Sequence, residues 1–205
     1  MLALVIVIVI ILAWFAGRIW WLAHVKIRGQ TRIFGMAQIR ADATGKPLVV
    51  VGDPAAPNTF NAWFGAGYGC GDLCVDSNGA PSCPVDKRKR ALILDWLLEQ
   101  ADNSAVIFES EVLMYVPVKE LKQTINELYR VSGGDLFSSH SNVIDVEAYA
   151  TTGSRQPVRA FDLYRTRFTG ASARVFTAYP PFARGYEWIE FEGKGYDAQA
   201  SGSAF

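Results

Sequence analysis

The opening of the chain is apolar almost without interruption. "MLALVIVIVIILAWF" carries no charge, Arg18 breaks the run once, and "IWWLAHV" continues it to Val25. About 24 residues at a rise of roughly 1.5 Å make about 36 Å of helix, enough to cross a hydrocarbon core of about 30 Å. Trp14, Trp20 and Trp21 suit an interfacial belt, and Arg18 can snorkel to the headgroups. No basic stretch precedes the run and no small-x-small site closes it, which favours a retained anchor over a cleaved signal peptide. A single transmembrane helix is expected over residues 1–25. Residues 26–45 are basic and show no clear period, which predicts an irregular juxtamembrane linker.

Further along, short apolar runs alternate with helical stripes. Leu48, Val49, Val50 and Val51 form a buried strand ended by the turn Gly52-Asp53-Pro54. A loop rich in Gly, Pro, Asn and aromatics follows, with one strand at Leu73-Cys74-Val75 closed by Asp76. "VDKRKRALILDWLLEQA" predicts a helix with Ala91, Leu94 and Leu98 on its apolar face and Asp86 as N-cap. "SAVIFES" predicts a buried strand, Pro117 opens a helix with Leu121, Ile125 and Leu128 inward, and Gly133-Gly134 ends it before the strand "DLFSS". Strand, helix, strand, helix, strand is the pattern of a parallel sheet covered by helices. Beyond Ser141 the segments "NVIDVEAYA", "ARVFTAY" and "YEWIEFE" look extended, and "RQPVRAFDLYRTRF" fits either helix or strand. The small, polar ending, residues 193–205, predicts a frayed tail.

Charge changes this picture little. Twenty basic and twenty acidic side chains cancel over 205 residues, so nucleic acid is not indicated as a partner. The basic residues Lys26, Arg28, Arg32 and Arg40 follow the apolar run, which predicts an outside N-terminus and a domain on the cytoplasmic or equivalent side. The run "DKRKR", residues 86–90, reads as a solvated helix turn, and could also meet headgroups or phosphates. The cysteines number three, Cys70, Cys74 and Cys83. An odd count favours reduced thiols over a disulfide framework, and a zinc site would need a fourth ligand from elsewhere. No metal is expected.

The segment "VIFESEVLMYVPVKELKQTINELYRVSGGDLFSS" resembles a class I S-adenosylmethionine-dependent methyltransferase. That family has a strand, a "VLEHVPD"-like segment, a helix, "RVLKPGG" and another strand. Val112-Leu113, Val116-Pro117, Arg130-Val131 and Gly133-Gly134 fall in matching places. The chain also resembles methyltransferase-like proteins of large DNA viruses. The resemblance covers residues 46–139 and implies S-adenosylmethionine as cofactor, with Asp76 in the place of the carboxylate that bonds the ribose hydroxyls. An Asx turn through Asp76-Ser77-Asn78-Gly79 is the plainer reading of the same residue.

The family's first loop is the departure. "VVVGDPAAPNTFNAWF" offers one glycine, Gly52, with Asp53 on its wrong side and two prolines, while the later "GAGYGCGD" precedes the second strand. Glu109 and Glu111 flank the end of the third strand, where they could hold a cofactor amine or act as a base, or be solvated loop carboxylates. His140 is a further base candidate, and no catalytic residue is assigned. The sequence after Ser141 looks short for the family's remaining helix and final strand pair.

These readings predict a truncated Rossmann-like methyltransferase α/β sheet over residues 46–192 on a single N-terminal transmembrane helix. The candidate cofactor residues are Gly52, Asp53, Asp76, Glu109 and Glu111. The expected function is a non-catalytic structural or interaction subunit of a membrane-associated assembly, such as a virion, with the bilayer and other proteins as partners. An active membrane-tethered methyltransferase is the alternative. The loop aromatics Phe60, Trp63, Phe64 and Tyr68 and the later Tyr179, Phe182, Tyr186 and Trp188 suit protein contacts or core.

Overall fold

The apolar runs are continuous because their strands are covered on both faces. In β1 (Leu48–Val51) all four residues are buried, and successive side chains part to opposite sides. Val49 and Val51 join one cluster with Val75, Ile107 and Leu136. Leu48 and Val50 join the other with Cys74, Val106, Phe108 and Phe137.

The computed structural model describes residues 2–55, 65–110, 112–141, 172–178 and 186–192. Seven strands form one sheet in the order β3-β2-β1-β4-β5-β7-β6. They are β1, β2 (Leu73–Asp76), β3 (Arg88–Arg90), β4 (Val106–Ser110), β5 (Leu136–Ser141), β6 (Ser172–Ala178) and β7 (Tyr186–Glu192). β1 is the centre of a parallel body, pairing Val49 with Leu73 of β2 and with Ile107 of β4. β3 and β5 extend that body, and β7 pairs antiparallel with both β5 and β6. The expected truncation is thus corrected: the last two strands are present and complete the sheet. "YEWIEFE" is β7, whereas "NVIDVEAYA", "RQPVRAFDLYRTRF" and the tail over residues 193–205 lie outside the described residues.

One face is covered by α2 (Ile93–Leu98) and α3 (Val118–Ser132). Trp96 and Leu97 meet Leu121, Ile125, Leu128 and Val131 over the sheet. α3 ends where Gly133 turns left-handed at φ 61°, and a Cβ there would overlap the Asn103 side chain. Arg130 ties the two helices: its guanidinium donates to the carbonyls of Leu97 and Gln100, each at 2.8 Å, and to Asp102 at 2.6 Å. Hydrogen bonds to Asp102 and Glu127 raise its pKa further above the ordinary arginine value. A family-matching residue therefore has a structural task.

The other face is covered by α1 (Leu2–Thr44), a single helix of 43 residues. The irregular linker expected over residues 26–45 is corrected: Ile33, Phe34, Ala37 and Ala41 are spaced to form a stripe and are buried on the sheet. Basic residues between the stripe positions hid that period. The first half of α1 differs, since residues 4–12 are each between 47% and 64% exposed although all are apolar. Among the described residues no helix is long and apolar enough to cross a membrane.

Two further expectations are corrected. The helix drawn over residues 85–101 is a turn at Val85–Lys87, then strand β3, then the short α2, so Asp86 caps no long helix. Arg88, Lys89 and Arg90 are exposed on an outer strand, where basic side chains discourage pairing with another sheet. The expected reduced thiols give way to a disulfide between Cys70 and Cys83, with Cys74 alone as a free cysteine. It closes a loop of 13 residues in sequence separation and pins the glycine-rich stretch to the turn after β2.

Candidate functional site

In open parallel sheets, ligands bind outside the carboxyl ends of the strands. Four of the five candidate residues reach that edge: Gly52 after β1, Asp53 beside it, Asp76 at the end of β2 and Glu109 in β4. Glu111 lies outside the described residues. Of His140, the backbone is in β5 and the side chain is outside the description.

Gly52 has φ +104°, a conformation that favours glycine, and its amide donates to Val75 O at 2.8 Å. The open side of this glycine is not an empty cradle. A Cβ built there would overlap Val112 Cγ2. Asp53 is buried and turned onto the loop that follows β2. Its Oδ1 accepts from the Ala55 amide at 3.1 Å and from the Ser82 hydroxyl, and its Oδ2 accepts from the Ser82 amide at 3.3 Å.

Glu109 overturns the reading of a solvated loop carboxylate. It is fully buried, and its Oε1 accepts from the amides of Val112 at 2.7 Å and Leu113 at 3.1 Å. Those amides open the turn Leu113–Tyr115, so the carboxylate holds the first bend after β4. Its Oε2 accepts from the Ser138 hydroxyl of β5 at 2.5 Å. With both oxygens so engaged, Glu109 is a poor partner for a cofactor amine.

Asp76 is half-buried, and its Oδ1 accepts from the Asn78 amide at 2.7 Å, the Asx turn anticipated for it. Its backbone carbonyl also takes the amides of Gly79 at 3.0 Å and Ala91 at 3.2 Å. Between the two aspartates sits Cys74, whose thiol donates to Gly52 O at 2.9 Å. Burial first, then the negative charges of Asp53 and Asp76, push that thiol up to about 12. It is therefore neutral and unreactive near neutral pH.

The glycine-rich stretch "GAGYGCGD" has structural duties. A Cβ at Gly67 would overlap Ile27 O, and one at Gly71 would stand 2.6 Å from Leu48 O. These glycines let the loop lie against α1 and β1. Tyr68 packs on Phe108 with ring centroids 4.9 Å apart and on Phe34 at 6.3 Å, so it belongs to the core. Phe60, Trp63, Phe64, Tyr179 and Phe182 lie outside the described residues, as do the side chains of Tyr186 and Trp188.

A buried polar cluster that sequence reasoning missed stands beside the candidates. Gln30 of α1 is fully buried, donates to Ser110 Oγ at 3.0 Å and accepts from the Gly67 amide at 3.1 Å. Ser139 Oγ lies 3.2 Å from Ser110 Oγ. The available signal was one polar residue on the same helix face as Ile33, Phe34 and Ala37. A groove of about 670 Å³ is present elsewhere, at the amino edge, lined by Phe34, Ile39, Asp42, Asp72 and Lys87 among others. It is remote from the candidates, and two of its charged residues are engaged: Asp72 accepts from the Leu48 amide at 2.9 Å and Lys87 donates to Gly71 O at 3.1 Å.

Of the four described candidates, three are engaged within the protein and are poorly disposed to hold S-adenosylmethionine. Val112 fills the space beside Gly52, Asp53 is tied to Ser82, and Glu109 serves the turn after β4. Asp76 alone keeps a carboxylate oxygen without a described partner at the place the cofactor ribose would need. Among the described residues no cluster of His, Cys, Asp or Glu could hold a metal ion.

No family profile matches the sequence, and no curated protein does. Solved structures with a related shape include an O-methyltransferase from Bacillus cereus in complex with SAH, at 14% identity and TM-score 0.41, covering 87% of this chain and 90% of that one. A second comes from work on converting a disulfide bond into a thioacetal group during echinomycin biosynthesis, at 13% identity and TM-score 0.40, covering 78% and 82%. A third is a Corynebacterium glutamicum protein at 14% identity and TM-score 0.32, covering 77% and 88%. Likenesses of this degree do not fix a function. By its own sheet order and by the strand, turn, helix and strand over residues 105–139, the chain has a class I S-adenosylmethionine-dependent methyltransferase-like α/β fold.

Proposed function

We propose that this protein is a membrane-anchored, non-catalytic relative of the methyltransferase fold that serves as an interaction subunit of a membrane-associated assembly. The bilayer and other proteins of that assembly, of which a membrane-containing virion is one kind, are its partners. The observation that carries the non-catalytic part is the use of the carboxyl edge by the protein itself, with Val112 beside Gly52 and Glu109 bound to two backbone amides and Ser138. The anchor is supported by the first half of α1, apolar all round and exposed from residue 4 to residue 12. A helix with no polar face suits a hydrocarbon environment better than water.

The side of the membrane follows the basic residues in this reading, N-terminus outside and domain on the cytoplasmic or equivalent side. The Cys70–Cys83 disulfide is the observation against that side, because disulfides persist in oxidising compartments. Protease protection of the domain in sealed vesicles reads the side directly.

The second reading is an active tethered methyltransferase, favoured by Asp76 at the end of β2. Calorimetric titration of the full chain in detergent micelles with S-adenosylmethionine and S-adenosylhomocysteine separates the two. The non-catalytic reading expects no heat of binding at millimolar ligand. Micromolar binding that Asp76→Ala abolishes would establish the second reading in its place.

A further inference from the structure

α1 has a direction relative to the sheet, and two sets of contacts define it. Gln30, toward the start of its packed half, bonds Ser110 at the carboxyl end of β4 and the Gly67 amide. Arg40, toward its end, bonds Asp135 at 2.7 Å, one residue before β5, and Lys46 reaches the same carboxylate at 3.4 Å. The helix therefore runs antiparallel to the parallel strands. Its apolar first half leaves the domain at the carboxyl edge, the edge at which open α/β sheets take their ligands.

No spacer separates the two. α1 is continuous from Leu2 to Thr44, and Lys26, Gln30 and Ile33 are already buried against the domain. Trp20 is 62% exposed and stacks on His24 at 5.2 Å, and Arg28 is exposed one turn further on. An aromatic pair followed by a cation is the pattern of side chains at a headgroup layer. The Gly67 backbone lies against Ile27 O, so the loop before β2 stands at the level of that pattern.

We infer that the carboxyl edge of the sheet is held flush against the lipid headgroups, so that the bilayer surface is the partner of this edge. The inference rests on the anchor proposed above. A helix entering the bilayer through a flexible linker would let the domain tumble, whereas an unbroken helix packed along the sheet fixes one edge toward the lipid. From Gln30 to Ala43 the helix rises about 20 Å, which keeps the amino edge away from the headgroups. Any small molecule that reaches the carboxyl edge must then arrive through the headgroup layer.

The test uses the full chain in phosphatidylcholine–phosphatidylglycerol vesicles, with an environment-sensitive dye on one introduced cysteine at a time. Ala66→Cys and Asn78→Cys report the carboxyl edge, and Ala43→Cys reports the far end of α1; all three sites are at least partly exposed. Cys74 is buried and Cys70 and Cys83 are bonded, so the introduced thiol is the one that labels. Flotation is measured first, then quenching by lipids with a spin label on the headgroup. The expected result is flotation, loss of most emission at 66 and 78, and little loss at 43. Flotation with equal quenching at all three sites, or stronger quenching at 43, overturns the inference while the anchor stands. Failure to float overturns the anchor and the inference together. Should the Ala66 variant not fold, the Asn78 and Ala43 pair decides.

Discussion

The two halves of α1 differ in pattern and have opposite surroundings. Residues 4–12 are apolar at every position and exposed, while the second half alternates polar and apolar residues and buries Ile33, Phe34, Ala37 and Ala41 on the sheet. What differs is the angular spread of the apolar side chains. A stripe can be covered by one sheet face, and a cylinder cannot. Hydrophobicity alone therefore does not locate the core: the more apolar segment is the one the folded domain leaves uncovered, and the more basic segment, expected as a linker, supplies part of its core.

That contrast can be broken by mutation. Phe34→Ala removes a ring that packs edge-on to Phe108 at 5.3 Å, and should cost the domain about 3–4 kcal/mol by chemical denaturation of the full chain in micelles, with flotation on vesicles unchanged. A loss under about 1 kcal/mol would mean the second half is not core. On the anchor proposed above, Leu12→Asp should do the reverse: a carboxylate at the centre of a span disfavours insertion by about 3 kcal/mol, while the denaturation midpoint of the domain stays put. Normal flotation of that variant would remove the first half from the membrane account.

A second contrast, between Glu109 and Asp76, separates a carboxylate the fold consumes from one it leaves partly free. Glu109→Gln should destabilise the domain by about 2 kcal/mol, since Gln offers one acceptor oxygen where the carboxyl group uses two to accept from Val112, Leu113 and Ser138. Asp76→Ala loses one Asx-turn bond and should cost no more than about 1 kcal/mol. Equal losses would show that Asp76 is as structural as its neighbour.

A last contrast is one of pH and belongs to Cys74. Its folded pKa lies near 12, above the ordinary value of 9.0, so the folded state holds the proton more tightly. The associated stability is fully present below pH 9.0 and is lost as pH rises toward 12. The difference in denaturation midpoint between the native chain and Cys74→Ala should accordingly shrink in that window. A difference that is flat with pH would mean the thiol does not titrate with unfolding.

Much of the central sheet was legible in the residues. Leu48 to Val51, "SAVIFES", the stripe Leu121, Ile125, Leu128 and the Gly133-Gly134 stop all signal local structure through neighbours a few positions apart, and all four stand where expected. The Asx turn at Asp76 was legible for the same reason. The fate of "DKRKR" was not, because whether a basic run becomes a helix turn or an outer strand depends on β2 offering it an open edge. The Cys70–Cys83 bond was hidden as well, since three cysteines give no pairing until the chain brings two together.

By itself the sequence determined the periodicities, the turns and the apolar character of the first half of α1, all set by residues close along the chain. Only the tertiary structure decided that the stripe Ile33, Phe34, Ala37 and Ala41 within residues 26–44 is core, that Glu109 is spent on the turn after β4, and that α1 points its apolar half off the carboxyl edge. Those outcomes depend on groups far apart in sequence: Gln30 with Ser110, Glu109 with Ser138, and Arg40 with Asp135. A buried polar group must find a partner, and no local pattern states which distant residue will supply it.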